Sequence, residues 1–432
     1  MKKQLVVTAC FLISAGPLLL GQALEVVPNR VMPDESAVLR VHGLEPNEKI
    51  TIQADLVDGG GQPWNASAEF IADAQGTVDA SKQAPVSGSY KVVSSMGLLW
   101  SMMPKEKGVS AYRLPKELGA QTIQLRLSRK GQQAAAAQLE QRSLAADVKR
   151  VDVQGTLHGV LYEPLAAGPH PGVLVVGGSG GGYPGHQAVW LASHGFAAFA
   201  LAYFRYEDLP QKLEAIPLEY FGSALAWMAK RPEISADHIA VMGTSRGGEL
   251  ALQLGSMYPQ IKAVVAYVPS NVLNPACCGN TNLPYAWTWK GAPLAYLNFR
   301  NRENSDAVRN AAIRVENTHG PILLISGQDD GVWESSRMAD EIVARLNSAH
   351  FTYKVEHLKY HHAGHMAGQP MMAPAWHGPF EHPVSGREVN LGGTPAGNAQ
   401  SSIDAIPKVL DFLRESLNPG ASDKPSANDS SK

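Results

Sequence analysis

The stretch Gly243-Thr244-Ser245-Arg246-Gly247 sets one serine between two glycines, where the apolar run HIAVMG gives way to the helical pattern GELALQLGSM. Gly-x-Ser-x-Gly at a strand-to-helix turn is a nucleophile elbow, its glycines leaving room for a sharp backbone turn. A serine hydroxyl attacks a carbonyl only when a histidine takes its proton and a carboxylate holds that histidine in one tautomer. The chain offers both, in the order serine, aspartate, histidine. ILLISGQDDGVW ends a buried strand and delivers Asp329 and Asp330 to the loop beyond it, the edge where such sheets place ligands. Asp330, third after Gly327, is the expected acid. HLKYHHAGHMAGQP holds His357, His361, His362 and His365. His365, in the loop after the last strand, is the expected base, and the other three read as strand-end or supporting residues.

An oxyanion hole completes such a site. The backbone N–H of Arg246 follows the nucleophile. A second donor is expected from the glycine-rich loop GGSGGGYPG, residues 177–185, with Ser179 and Gly180 as candidates. The loop does not read as a phosphate cradle, since no Gly-Lys-Ser/Thr follows it, nor as a dinucleotide site, since no acidic residue closes FAAFALAY. His361 and His365 stand four apart, but no glutamate follows in the metalloprotease pattern and no third ligand is obvious. Neither a metal nor a cofactor is expected.

These residues need elements to hold them. With 432 residues, 44% hydrophobic and 18% charged, the chain suggests about two domains with ordinary cores. A net charge of -2 and no run of Lys or Arg argue against nucleic acid as a partner. From Leu24 to about Arg129, within an expected domain over 24–140, the pattern has period two: Ile50, Ile52, Ala54 and Leu56 point one way, Thr51, Gln53 and Asp55 the other, and Ile123, Leu125 and Leu127 repeat the pattern. That predicts an antiparallel β-sandwich, closed by a helical or loose linker at GQQAAAAQLEQR. From 150 to 417 the period changes. Continuous apolar runs such as GVLVVGG and FAAFALAY alternate with helical patterns, among them one with Leu218, Phe221, Leu225 and Met228 on a single face. This half predicts an α/β domain of the α/β-hydrolase class.

The ends and the cysteines set further bounds. Met1-Lys2-Lys3, an apolar stretch over 4–20 and Gly21-Gln22-Ala23 read as a signal peptide over residues 1–23, predicting a periplasmic or secreted protein. The stretch is short and broken by Gly16-Pro17, so no stable membrane span is expected. Residues 418–432 predict a disordered tail. Cys277 and Cys278 are adjacent, poor staples, and read as loop residues. The sequence sets no oligomeric state.

Over nearly its whole mature length the chain resembles the acyl-CoA thioesterase and bile acid-CoA:amino acid N-acyltransferase family. The likeness rests on GLEPNEKITIQADLVDGGGQPWNASAEFIADAQGTVDASKQAPVSGSY and MGLLWSM in the first half. The second half adds GGSGGG, HGFAAFALAYF, GTSRGGELAL, GQDDGVW, AGH and LGGTPAGNAQSSIDAIPKVLDFL. The resemblance implies a two-domain serine thioesterase that takes a small-molecule acyl (thio)ester, cleaving acyl-CoA to free fatty acid and CoA, with Ser245, Asp330 and His365 as its triad. Members that transfer acyl groups to glycine or taurine carry cysteine at the nucleophile, so serine points to hydrolysis. An exported carboxylesterase or serine peptidase of the same fold is the rival, and the absence of Asp and Glu from 271–297 leans against the peptidase.

Three departures from the family pattern carry expectations. Arg246 replaces a usual lysine, with its side chain expected as a surface cation. MAGQPMMAPAW replaces an acidic, proline-rich continuation and suggests a different pocket wall. The insert 271–297, with two Trp and two Tyr, is a lid or a packed loop.

Overall fold

The period-two runs become strands that bury the expected face. In Lys49–Val57, Ile50, Ile52, Ala54 and Leu56 are buried, while Thr51, Gln53 and Asp55 are half-buried. Ala120–Arg129 buries Ile123, Leu125 and Leu127 and pairs antiparallel with it. The coordinates are a computed structural model that describes residues 23–106, 112–115, 118–298, 301–370, 374–376 and 378–417. Residues 1–22 of the expected signal peptide and the expected tail 418–432 lie outside the described residues. A second sheet of Ala23–Val27, Val38–His42 and Val78–Asp79 shares one apolar core with these strands.

Gln132–Arg142 corrects the expected linker, because it is a strand. It forms a hairpin with Ala120–Arg129 through Lys130-Gly131, both at positive φ (47° and 81°), as tight hairpin turns require. Its alanines favour helix by local propensity alone. The neighbouring strand offers a hydrogen-bond ladder and burial of Leu139 and Gln141, and that tertiary gain prevails.

The second half is an eight-stranded sheet: Val148–Val153, His158–Pro164, His170–Val176, Ala197–Ala202, Ile234–Thr244, Ile261–Tyr267, Ile322–Gly327 and Val355–Tyr360. In space the third and fourth strands exchange places, and the second runs antiparallel to both its neighbours. From the fourth strand onward all pairings are parallel. The apolar runs are continuous because both faces are covered. Leu174, Val176 and Val241 pack under the helices Glu219–Ala229, Arg246–Met257 and Ser335–Ser348. Val173, Val175 and Met242 pack under Gly185–Ser193 and Pro395–Leu417. Leu218, Phe221, Leu225 and Met228 are all buried, as their spacing predicts.

The continuation after His365 reaches the sandwich. Ala375 lies in the sandwich core, and Trp376 packs on Trp64 with ring centroids 5.7 Å apart. No described helix is long and apolar enough to cross a membrane.

Candidate active site

Ser245 stands between the strand that ends at Thr244 and the helix that starts at Arg246, with φ 59° and ψ -119°. A non-glycine residue at positive φ is strained by about 1–3 kcal/mol, so its surroundings must impose it. They do. The Ser245 N–H donates to the Tyr267 carbonyl at 2.9 Å. A Cβ on Gly243 would overlap the Gly247 carbonyl, and one on Gly247 would overlap those of Val176 and Gly177. Both glycines of the motif are demanded by packing.

The structure brings Ser245, His365 and Asp330 into one hydrogen-bonded line. His365 Nε2 lies 2.8 Å from Ser245 Oγ, and its Nδ1 lies 2.9 Å from each oxygen of Asp330. An ionised carboxylate only accepts, so Nδ1 carries the proton and Nε2 is left to accept from the serine. Asp330 also receives the N–H groups of Val332 (2.9 Å) and Trp333 (3.2 Å) and the Ser335 hydroxyl (2.6 Å). Its side chain is 1% exposed and that of His365 7%. The Trp333 ring meets His365 edge-on at 5.6 Å and is fixed by a bond from its Nε1 to the Val268 carbonyl at 3.0 Å.

The neighbouring candidates go elsewhere. Asp329 is exposed and faces His362 at 3.3 Å. His357 bonds Ser326 and Asp340, and exposed His361 lies beside the His362 ring.

The two candidate sources of oxyanion donors both adjoin Ser245. Arg246 opens its helix, so its N–H has no helical carbonyl to bond. The loop after the third strand touches the nucleophile through Gly178, where a Cβ would stand 3.5 Å from that of Ser245. The Tyr203 hydroxyl donates to the Gly177 carbonyl (2.6 Å), and Arg205 Nη1 donates to that of Gly180 (3.0 Å). Burial pushes the Tyr203 hydroxyl far above its ordinary range, so it remains a donor. Among the described residues, the N–H groups of Ser179 and Gly180 have no protein acceptor.

The Arg246 side chain is not the surface cation expected; it is buried. Glu249, fully buried one helical turn on, pairs with its Nε at 3.1 Å. Its Nη1 donates to the Pro275 carbonyl (2.8 Å), and its Nη2 to the Asn274 carbonyl (3.1 Å) and to Glu249 Oε1 (3.3 Å). Glu249 in turn receives Asn274 Nδ2 (2.8 Å) and Trp287 Nε1 (2.9 Å). The i,i+3 spacing of Arg246 and Glu249 is a sequence signal for this pair.

The network bolts the insert 271–297 to the nucleophile helix, and bridges to Leu213 and Ala312 tie it down elsewhere. The insert is a packed cap. Within it Cys277 and Cys278 are joined to each other, a ring that links no distant segments.

Comparison with known proteins adds both halves of the chain to this picture. Residues 34–155 match the family described as acyl-CoA thioester hydrolase/BAAT N-terminal region, and 216–419 match BAAT/acyl-CoA thioester hydrolase C terminal. Acyl-coenzyme A thioesterase 1 of Mus musculus is 32% identical over 406 residues, covering 89% of this chain and 94% of its own. Peroxisomal succinyl-coenzyme A thioesterase of Mus musculus is 30% identical over 410 residues, with the same coverage of both chains. Among solved structures, a dienelactone hydrolase-like promiscuous phosphotriesterase from metagenomic libraries covers 63% of this chain and 98% of its own, at 16% identity and a TM-score of 0.40.

Proposed function

This chain belongs to the acyl-CoA thioester hydrolase/BAAT family, and from that premise we propose that it hydrolyses acyl-CoA to free fatty acid and CoA through an acyl group carried on Ser245. The observation that carries the reading is a likeness spanning 89% of the chain, joined to a serine–histidine–aspartate line at the strand ends.

Ser245 Oγ attacks the thioester carbonyl as His365 Nε2 takes its proton. Asp330 stays ionised and steadies the imidazolium. Charge moving onto the carbonyl oxygen meets the Arg246 N–H and an N–H of the glycine loop. Collapse breaks the C–S bond and releases the CoA thiolate, and His365 gives the proton taken from Ser245 to that sulfur or to solvent, which frees Nε2 again. A thiol with a pKa of about 8.5 leaves far more readily than an alkoxide and needs little help from an acid. Water then attacks the acyl-serine as the freed His365 Nε2 takes its proton, and the second collapse breaks the C–O bond while His365 returns that proton to Ser245 Oγ and the acid leaves. Serine, where the family's acyl-transferring members carry cysteine, supports water as the acceptor. Residues 1–23 support export, which predicts Leu24 as the first residue of a periplasmic or secreted protein on N-terminal sequencing.

The test is free-thiol release from a series of acyl-CoAs by the purified mature protein. Ser245→Ala is expected to lose at least about a thousandfold in kcat, as triad variants do. Cleavage of p-nitrophenyl esters with every acyl-CoA spared would make the protein an oxygen esterase and refute the reading.

A further inference from the structure

A histidine outside the triad lies behind the glycine loop. His382 is buried in the turn between the short strands Phe380–Glu381 and Glu388–Val389. Its Nδ1 faces the backbone N–H groups of Val384 (3.2 Å) and Ser385 (3.3 Å). Those groups only donate, so Nδ1 is the acceptor and Nε2 carries the proton. That Nε2–H donates to the Ser179 hydroxyl at 2.9 Å, across 203 residues of chain. Burial first, and then the charge of Arg205, hold the imidazole below the ordinary histidine range, which keeps it neutral near pH 7. Pro383, the next residue, packs against Gly180, where a Cβ would meet its ring at 3.6 Å.

These contacts converge on one short segment. Tyr203 holds the Gly177 carbonyl, Arg205 the Gly180 carbonyl, and the Phe204 carbonyl receives the Gly182 N–H at 3.0 Å. His382 is the only one of these partners to grip a side chain, and that side chain belongs to the residue after Gly178. A loop this rich in glycine has many conformations to lose, and a donor lowers a barrier only if it is in place before charge develops.

Resting on Ser245 as the nucleophile, we propose that His382 is a positioning residue: through the Ser179 hydroxyl it holds residues 178–180 as the second wall of the oxyanion hole. His382 touches no reacting atom and acts only through Ser179.

Two readouts test this without CoA: the rate at which a fluorophosphonate labels Ser245, and p-nitrophenyl acetate hydrolysis. His382→Asn keeps an acceptor for the Val384 and Ser385 N–H groups but drops the bond to Ser179. His382→Gln puts a donor back at the position of Nε2. His382→Asn and Ser179→Ala are each expected to slow labelling and kcat about 10- to 100-fold, with KM within about threefold. The double variant is expected to be no slower than the slower single one, and His382→Gln to recover most of the loss.

Labelling of His382→Asn at the wild-type rate would overturn the proposal. So would losses that multiply in the double variant, or a change confined to KM or to thermal stability. A wild type that labels yet spares every acyl-CoA would refute the thioester reading alone, and the positioning role would still be decided by the labelling rates.

Discussion

Arg246 contributes a backbone N–H to the nucleophile turn and a guanidinium to the buried network beneath it. Those contributions respond differently to substitution, because every residue but proline supplies the N–H. Arg246→Met would strand the fully buried Glu249 carboxylate without its cation, a loss of about 3–5 kcal/mol for one partner of a buried pair. Arg246→Lys keeps a charge but gathers its donors on one nitrogen, so it does not reproduce the fork whose Nη1 and Nη2 reach the Pro275 and Asn274 carbonyls separately. A cost of about 1–3 kcal/mol is expected for it. Urea unfolding of the three proteins checks the order wild type, lysine, methionine. A methionine variant as stable as the wild type would mean that the network does not hold the cap to the helix.

The loops of the acid and the base are sewn together by one later element, the segment Asn390–Gly393 and the start of the helix Pro395–Leu417. The Leu391 carbonyl accepts the N–H groups of both His365 (2.7 Å) and Gly331 (3.2 Å). Buried Asn398 accepts the Gly364 N–H at 2.8 Å, one residue before the base. Asn398→Leu would orphan that N–H, costing about 1–3 kcal/mol, and free the loop under His365. A kcat loss of about 10- to 100-fold with KM little changed is expected from steady-state kinetics with a p-nitrophenyl ester. Unchanged kcat would show that the Asn398 bond plays no part in positioning His365.

None of this stitching was legible in the sequence, whereas Ser245, Asp330 and His365 were. The chemistry admits few residue types at those three places, and each arrives at the end of an apolar run. A backbone carbonyl such as that of Leu391 has the same signature in every residue. The strand Gln132–Arg142 was hidden for a related reason: its conformation is decided by the strand beside it, and its alanines speak for helix. The edge strand Val148–Val153 is also masked, because Lys149, Arg150 and Glu163 across from it reflect solvent and ion pairing more than a core.

At the scale of the whole molecule, the sandwich and the hydrolase domain share a boundary crossed, among the described residues, by the sandwich core and by a carboxylate–histidine contact. Ala375 and Ala399 of the hydrolase half lie in the sandwich core. Asp34 of the sandwich meets His194, at the end of the helix Gly185–Ser193, at 2.7 Å, with its own side chain only 6% exposed. Burial by itself, the largest single influence, would raise the Asp34 carboxyl, but the hydrogen bond and charge of His194 together with the Trp190 side chain and the backbone outweigh it and hold the carboxyl below its ordinary value of 3.8. The sign of the effect follows. A carboxyl depressed in the folded state contributes stability at pH above its unfolded value, and that contribution is lost as pH falls through the folded value. Asp34→Asn is nearly isosteric and removes only the charge, so it should cost about 1.5–3 kcal/mol at pH 7. The gap should hold to about pH 5 and narrow below about pH 4, where the wild type loses the same charge. Urea midpoints of the two proteins at pH 7, 5 and 3.5 measure it. No gap at pH 7 would mean that the Asp34–His194 pair adds nothing across the boundary, and a gap unchanged at the acid end would mean that its cost does not come from the Asp34 charge.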